Sequence, residues 1–403
     1  SEPVALATHF LYAGKNRSYS HQIARVNLTC AGSMRAPGEA VGMLALENAM
    51  DELAHDAGID PVELRLRNIP EEHPEEDKKF SSHCLADCLT TGAKRFGWEK
   101  RNATPGAVRE GEWLIGVGMS SAARGNILHE AKARVILHSD ATVSVETDMT
   151  DIGTGTYTIL AQIAGEMLGL PLDRIEVKLG DTDFPPAAGS GGSWGAGSTG
   201  SAVFLACQTL RSEIADLLGT DPAELTIKDG SIISGNVQHE LAQLLTRDLS
   251  AVGHIEPGKT SDEVEQATFG AHFAEVAVNA VTGETRVRRM LGVFSAGRIL
   301  NMQTARSQCH GGMIFGIGSA LTEELVHDLR DGHIVNHNLA EYHVPVNLDV
   351  PQIDAVFLEE RDSWANPMQS KGVGELGISG AGAAITNAIF NATGVRVRDY
   401  PAT

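Results

Sequence analysis

Cysteine is scarce and scattered in this sequence: Cys30, Cys84, Cys88, Cys207 and Cys309 form neither a disulfide framework nor the spacing that holds an iron–sulfur cluster. Cys84 and Cys88 are four apart on an expected helix and share one face, where packing accounts for them. The 15 histidines never fall at zinc-ligand spacing, and HExxH and the GxxxxGK[ST] phosphate loop are both missing. Positive charge is the minority sign, 32 Lys and Arg against 52 Asp and Glu. The resulting net charge of −20 argues against nucleic acid or an anionic membrane as a partner, since both need a basic surface. No apolar run reaches the roughly 18 residues of a membrane span, and the opening SEPVALATHF lacks a secretion signal. These absences predict a soluble chain without membrane insertion and leave its compartment open, periplasm or cytoplasm.

What is abundant is glycine, 43 of 403 residues, a residue used where backbone turns sharply or approaches a ligand. Against so negative a field, a phosphate must be held by local N–H groups and a few side chains. The length allows about two or three domains. Apolar spacing predicts a helix after Gly38 and another opened by Asp60-Pro61-Val62-Glu63, where Asp caps, Pro suits the first turn and Glu63 reaches back. A third is expected from Leu85 to Phe96, with surface connections over 70–79 and 101–111. Alternation from Ala131 to Thr147 reads as a hairpin. Further helices are expected over 159–170, 202–218, 308–325 and 380–391, and strands over 174–179, 271–279, 285–293 and 395–397. The irregular alternation predicts α+β, two lobes of mixed sheets and helices. Neither end reads as a domain boundary, which predicts a fragment or a split subunit.

The informative residues lie in loops. Thr150-Asp151-Ile152-Gly153-Thr154-Gly155-Thr156 joins a strand to a helix, and the stretch Gly189 to Gly200 holds six glycines before the next helix. Such turns present free N–H groups at a positive helix end and suit anions; a plain capped turn is the bland reading of the first. Gly195 to Gly200 fits the dinucleotide GxGxxG, and Gly191-Gly192-Ser193-Trp194-Gly195 fits the serine-hydrolase GxSxG, but both need a strand just before, and Asp183-Phe184-Pro185-Pro186 is none. Arg124 lies in what reads as a Gly-flanked turn. Near the C-terminus, Lys371-Gly372-Val373-Gly374-Glu375 places one carboxylate before the small-residue helix Gly380 to Ala384, which permits close approach of backbone or cofactor; a solvated helix-opening glutamate is the competing reading.

In this order, these loops resemble the molybdenum-cofactor subunit of the xanthine dehydrogenase and aldehyde oxidoreductase family. Met34-Arg35-Ala36-Pro37-Gly38-Glu39-Ala40 resembles the family's arginine turn, and Met50 to Asn68 the helix pair after it. Asp151-Ile152-Gly153-Thr154-Gly155, Leu179-Gly180-Asp181-Thr182 and the glycine–serine loop through Trp194-Gly195 follow at the family's spacing. Arg298-Ile299-Leu300-Asn301-Met302-Gln303-Thr304 with Gln308 resembles the segment around the pterin and its nucleotide tail, and Lys371 to Glu375 the catalytic motif. Thr154, Trp194 and the run Glu375 to Gly380 are most similar to periplasmic aldehyde oxidoreductases. The family's upstream glycine–phenylalanine motif and its iron–sulfur and flavin domains are absent.

The resemblance implies a large-subunit fold with the cofactor between lobes. Residues 1–135 would complete a domain begun upstream, 136–260 form a first cofactor lobe, and 261–403 a second one carrying Glu375. It implies molybdenum with molybdopterin cytosine dinucleotide, the metal held by the pterin dithiolene and not by side chains. Cofactor contacts would come from Arg35, Asp151, Ile152, Gly153, Thr154, Ser193, Trp194, Gly195, Arg298, Ile299, Leu300, Asn301, Met302, Gln303, Thr304, Gln308, Lys371, Gly372, Val373 and Gly374. Glu375 would be the catalytic base, Arg124 would orient substrate or bias Glu375, and Pro37 would wall the substrate pocket. The implied reaction turns aldehydes, aromatic ones foremost, into carboxylic acids with water as oxygen source; N-heterocycles would use the same base. Electrons would leave through iron–sulfur and FAD partner subunits. The competing classes are a serine hydrolase using Ser193 and a non-catalytic anion-binding protein.

Overall fold

The computed structural model describes residues 2–28, 32–234, 237–350 and 352–402; Cys30 lies outside them. Along the chain run helices α1 (Glu39–Ala57), α2 (Pro61–Arg67) and α3 (Leu85–Phe96), then strands β1 (Trp113–Gly125), β2 (Ala131–Leu137) and β3 (Val143–Thr147). Helix α4 (Thr156–Leu168), strand β4 (Ile175–Leu179), helix α5 (Gly195–Leu218) and strands β5 (Leu249–Ile255), β6 (Ala267–Asn279) and β7 (Thr285–Ser295) follow. Helix α6 (Met302–Leu321), strand β8 (Gln352–Phe357) and helix α7 (Ala381–Thr393) complete the set that positions the site. Among the described residues, no helix is long and apolar enough to cross a membrane.

Two sheets organise two lobes. One has the order β8-β7-β6-β1 with Arg109–Glu110 at its edge, antiparallel except where β7 meets β8. It is covered on both faces. Phe269, Ala271 and Phe273 of β6 pack with Met43, Leu85 and Leu89 on one side, and the alternate residues Ala274, Val276 and Val278 pack with Met313, Ile317 and Ile385 on the other. The second sheet has the order β5-β2-β3-β4. There Val135, Val143 and Val145 pack against Leu160, Val203 and Leu210 of α4 and α5. The mixed helices and sheets expected from the sequence are found.

Local chemistry explains several elements. Asp60 accepts from the N–H groups of Val62 and Glu63 with Pro61 in the first turn; Glu63 does not reach back but pairs with Arg67 one turn on, at 2.8 Å. The alternation over 131–147 is an antiparallel hairpin, β2 with β3. Four further expectations change. Arg124 stands near the end of the long strand β1 and not in a turn. Helix α5 begins at Gly195, seven residues before the expected start, and α6 spans 302–321 instead of 308–325, capped by Asn301, whose side chain accepts the Thr304 N–H. The stretch 395–397 is no strand: Arg396 and Arg398 instead pin the tail to Asp51 and Glu52 of α1, at 2.6 and 2.7 Å.

The small residues of α7 meet backbone. A Cβ added at Gly116 or Gly118 of β1 would lie 2.1 Å from Ala388 O or 2.2 Å from Ala388 N. Close approach was expected of this helix, and its partner is the strand that carries Arg124. Cys88, Cys207 and Cys309 are buried in packing, and all four described cysteines are free.

Candidate active site

A cavity of about 750 Å³ opens where loops of both lobes meet. Helices α4, α5 and α6 begin at its wall, through Thr154 and Thr156, Trp194 and Gly195, and Asn301 and Thr304, and the turn before α1 adds Arg35 and Pro37. Converging helix starts set partial positive charge towards one space, with Asp151 and Asn301 already taking N–H groups at the starts of α4 and α6. That reconciles an acidic chain with a site suited to a phosphorylated ligand.

Glu375 sits at the wall, 9% exposed. Its Oε1 takes the Ala36 N–H at 3.1 Å, from a residue in left-handed conformation (φ 56°). Its Oε2 takes Arg124 Nε at 2.8 Å and lies 3.4 Å from Ser193 Oγ, and Ser193 Oγ in turn accepts the Glu375 N–H at 2.9 Å. Arg124, 5% exposed, also donates to Glu39 Oε1 at 2.6 Å. Burial alone would lower the Arg124 guanidinium, but the two carboxylates outweigh it and hold its pKa above the ordinary value, so it stays charged. Glu375 is thus no solvated helix-opening residue: it is a fixed acceptor at a cavity.

Arg35 straps two walls together, its Nε donating to Gly374 O at 2.7 Å and an Nη2 to Gln308 O at 2.6 Å. Ser193 has φ 62°, and the Trp194 ring folds back over Gly192, where an added Cβ would come within 1.9 Å of it. The indole Nε1 donates to Ala188 O at 3.1 Å. No strand precedes Ser193, and its hydroxyl pairs with Glu375 and not with a histidine, so the hydrolase geometry is not formed.

Of the expected contacts, Arg35, Pro37, Arg124, Ile152, Thr154, Ser193, Trp194, Gly195, Arg298, Ile299, Leu300, Asn301, Thr304, Gln308 and Lys371 to Glu375 line the cavity. Asp151, Gly153, Met302 and Gln303 do not. Asp151 shapes its loop, one oxygen accepting the N–H groups of Gly153 and Thr154 at 2.8 and 2.9 Å. Lys371 lends only its main chain to the wall, because its ammonium is buried on Glu360 Oε1 at 2.7 Å, Ser82 Oγ at 2.6 Å and Ala267 O at 2.9 Å. Arg298 is paired with Glu166 at 2.5 Å. Sequence reasoning missed Glu39 as a member of the site, although its motif was singled out; an acid in a first helical turn looks ordinary. It also missed the apolar floor of Met149, Ile159, Leu160 and Phe315.

Among the described residues, the groups of metal-ligand type are Glu130, His254 and Glu256, and Asp328, Asp331 and His333. None of these residues lines the cavity.

Comparison with known proteins gives the chain its relatives. A family described as a molybdopterin cofactor-binding domain matches residues 91–351, and a second of the same description matches residues 2–69. The chain is 52% identical over 404 residues to the aldehyde oxidoreductase molybdenum-binding subunit PaoC of Escherichia coli K12, covering 100% of this chain and 55% of that protein. It is 33% identical to the putative xanthine dehydrogenase molybdenum-binding subunit XdhA of the same strain, over 98% of this chain and 55% of the relative. The chain therefore spans about half the length of these curated relatives. Among solved structures, the aldehyde oxidoreductase of Desulfovibrio gigas superimposes with a TM-score of 0.75 at 27% identity, covering 92% of this chain and 40% of that one. Quinoline 2-oxidoreductase of Pseudomonas putida 86 gives 0.76 at 25%, covering 90% and 50%. The chain belongs to the molybdopterin cofactor-binding family, with the molybdenum-binding subunits of aldehyde oxidoreductase and xanthine dehydrogenase among its relatives.

Proposed function

We propose that this chain is the larger, cofactor-holding part of a molybdenum-dependent hydroxylase subunit that oxidises aldehydes, aromatic ones foremost, to carboxylic acids with water as oxygen source. The observation that carries it is Glu375: a single buried carboxylate fixed by Ala36, Arg124 and Ser193 at the wall of the cavity. The reading of the substrate rests on the 52% identity to a subunit named for aldehyde oxidation.

The residues present fit molybdenum with a pterin dinucleotide, in cytosine form by resemblance. The cavity's volume suits a large ligand, the starts of α4, α5 and α6 favour its phosphates, and Gly191 and Gly374 bring bare backbone to its wall. By resemblance the pterin dithiolene would hold the metal, and the described groups of metal-ligand type lie away from the wall. Arg35, Thr154, Trp194, Arg298 to Asn301, Thr304 and Gln308 would hold the group, which when bound supplies oxygen transfer and takes up two electrons.

The chain's own residues then do the rest. Glu375 takes up the proton released as oxygen passes to the carbonyl carbon, and Oε1, with the Ala36 N–H as its one donor, is the freer atom to receive it. Arg124 keeps the carboxylate oriented and offers its remaining N–H groups to the substrate's oxygen. Pro37 and Phe315 give the cavity apolar wall for an aromatic ring. Electrons leave to iron–sulfur and FAD partner subunits, and the rest of the large subunit completes the cofactor's enclosure. The irregular stretch 325–348, with Leu329 and Leu348 94% and 95% exposed, offers surface for such neighbours. The test is aldehyde oxidation by the assembly purified with its partners: the proposal expects carboxylic acid as product and loss of the rate in Glu375→Gln with molybdenum retained. Full activity in that variant would overturn it.

A further inference from the structure

Arg124 serves two carboxylates. Its Nε and Nη2 each stand 2.8 Å from Glu375 Oε2, while Nη1 donates to Glu39 Oε1 at 2.6 Å. Glu39 is fully buried in the first turn of α1, and its Oε2 has no hydrogen-bond partner. A glutamate that only answered the helix dipole would keep its charge in water, where solvation stabilises it. Here a second carboxyl has been withdrawn from solvent and set against the guanidinium that grips Glu375.

We propose that Glu39 is a positioning residue for Glu375, acting through Arg124: it takes a share of the guanidinium's charge and so sets how firmly that charge holds the base. The inference rests on Glu375 being the base and names the group that tunes it. In a buried site the interaction of two carboxyls with one cation is several times stronger than in water, so a change at one is felt at the other. When Glu375 gains a proton, Arg124 keeps its full charge, and Glu39 is the acid left inside to balance it. With Glu39 removed, Arg124 would pair with Glu375 alone and resist its protonation. Burial pushes the Glu39 carboxyl above its ordinary range while Arg124 pulls it down, which fits a group whose titration answers to how that cation is shared.

The surrounding charges are few. Arg35, on the turn before α1, faces Gly374 and Gln308. Cys309 on α6 is neutral, its thiol pushed up to about 12 by burial. Lys371 on the Glu375 loop is turned away onto Glu360 and Asp362. Glu2 takes the Gly38 N–H at 3.1 Å at the start of α1, and Ser193 is the hydroxyl on the opposite loop.

The test is an infrared pH titration of buried carboxyl groups in the purified assembly, with partners and cofactor in place. The Glu39 band is the one lost in Glu39→Gln; if that variant does not fold, Glu39→Asp identifies the band by its frequency shift. In Glu375→Gln, Arg124 belongs to Glu39 alone, so Glu39 should take up its proton at a pH lower by about one unit or more. A Glu39 band that titrates at the wild-type pH in Glu375→Gln would overturn the proposal. Kinetics give a second reading: at equal molybdenum content, Glu39→Gln should lower kcat by about tenfold, change KM less than about twofold, and move the acid limb of kcat/KM to lower pH. Glu39→Asp, which keeps the charge, should restore the limb. Equal losses in both variants with no movement of the limb would show a packing residue and sink the idea. An assembly without molybdenum would overturn the cofactor reading while leaving the titration result standing.

Discussion

Lys371 and Glu375 are four residues apart on one loop, yet they belong to two charge clusters of opposite kind. Lys371 is sealed: its ammonium is fully buried and meets Glu360, Asp362, Ser82 and the Ala267 carbonyl. Burial would raise the Glu360 carboxyl, but Lys371 overrides it and holds the group below its ordinary range. Every partner is inside, so this cluster fastens the loop to β6 and to the chain after β8. The Glu375 cluster is left open on one side. Its carboxylate borders the cavity, its guanidinium is shared with Glu39, and Glu39 has an oxygen without a partner. The lesson is that a buried charge with all its partners inside serves the fold, whereas one aimed at empty space and incompletely satisfied marks chemistry.

The largest expected effect separates the two clusters. Glu375→Gln should lower kcat/KM by about 10²–10⁴-fold while leaving molybdenum content and Tm close to wild type. Lys371→Met should do the reverse in kind, stranding Glu360 and Asp362 at a cost of about 3–5 kcal/mol of stability, read as a drop in Tm and loss of cofactor. If Lys371→Met were stable and merely slow, the distinction would fail. Next comes Gly116→Ala: its Cβ would meet Ala388 O at 2.1 Å, so α7 must shift, and about 1–3 kcal/mol should be lost in denaturant unfolding. Gly125→Ala is the control on the same strand, with nothing within 4 Å, and should stay within about 0.5 kcal/mol.

A pH effect sharpens the comparison from the buried side. His272 lies under the same loop, its Nε2 donating to Ser379 O at 3.1 Å, and burial lowers it from 6.5 to about 4. A depressed histidine is bound to fewer protons folded than unfolded, so its contribution is complete above pH 6.5 and is lost as pH falls towards 4. Tm should decline across that window, and His272→Gln should flatten the decline, an effect of roughly 1–3 kcal/mol. An unchanged slope in the variant would show that other groups govern the acid limb of stability.

How much of this was legible in the sequence depended on whether a residue's neighbours lay along the chain. The β2–β3 hairpin and helix α2 were readable, since alternation from Ala131 and the cap Asp60-Pro61 are local signals. Strand β1 was not: both of its faces are buried, and Gly116, Gly118 and Ser120, under α7, with Ser121, set against Tyr12 and Glu47 on the other face, erase the alternation. That hid Arg124's setting, which read as a turn. The glycine loops were visible because six glycines in twelve residues exceed what a turn needs, and Glu375 because its motif resembled a known one. Glu39 stayed hidden, since its role depends on an arginine 85 residues away. The inward turn of the Lys371 side chain stayed hidden for the same reason: its partner Glu360 is near in sequence, but Ser82 and Ala267, from distant elements, also hold the ammonium.

The central claim is the cofactor, and it is tested most directly by elemental mass spectrometry of the assembly purified from its source with its partner subunits attached. The account predicts close to one molybdenum per copy of this chain, and a folded, intact assembly without molybdenum would contradict it.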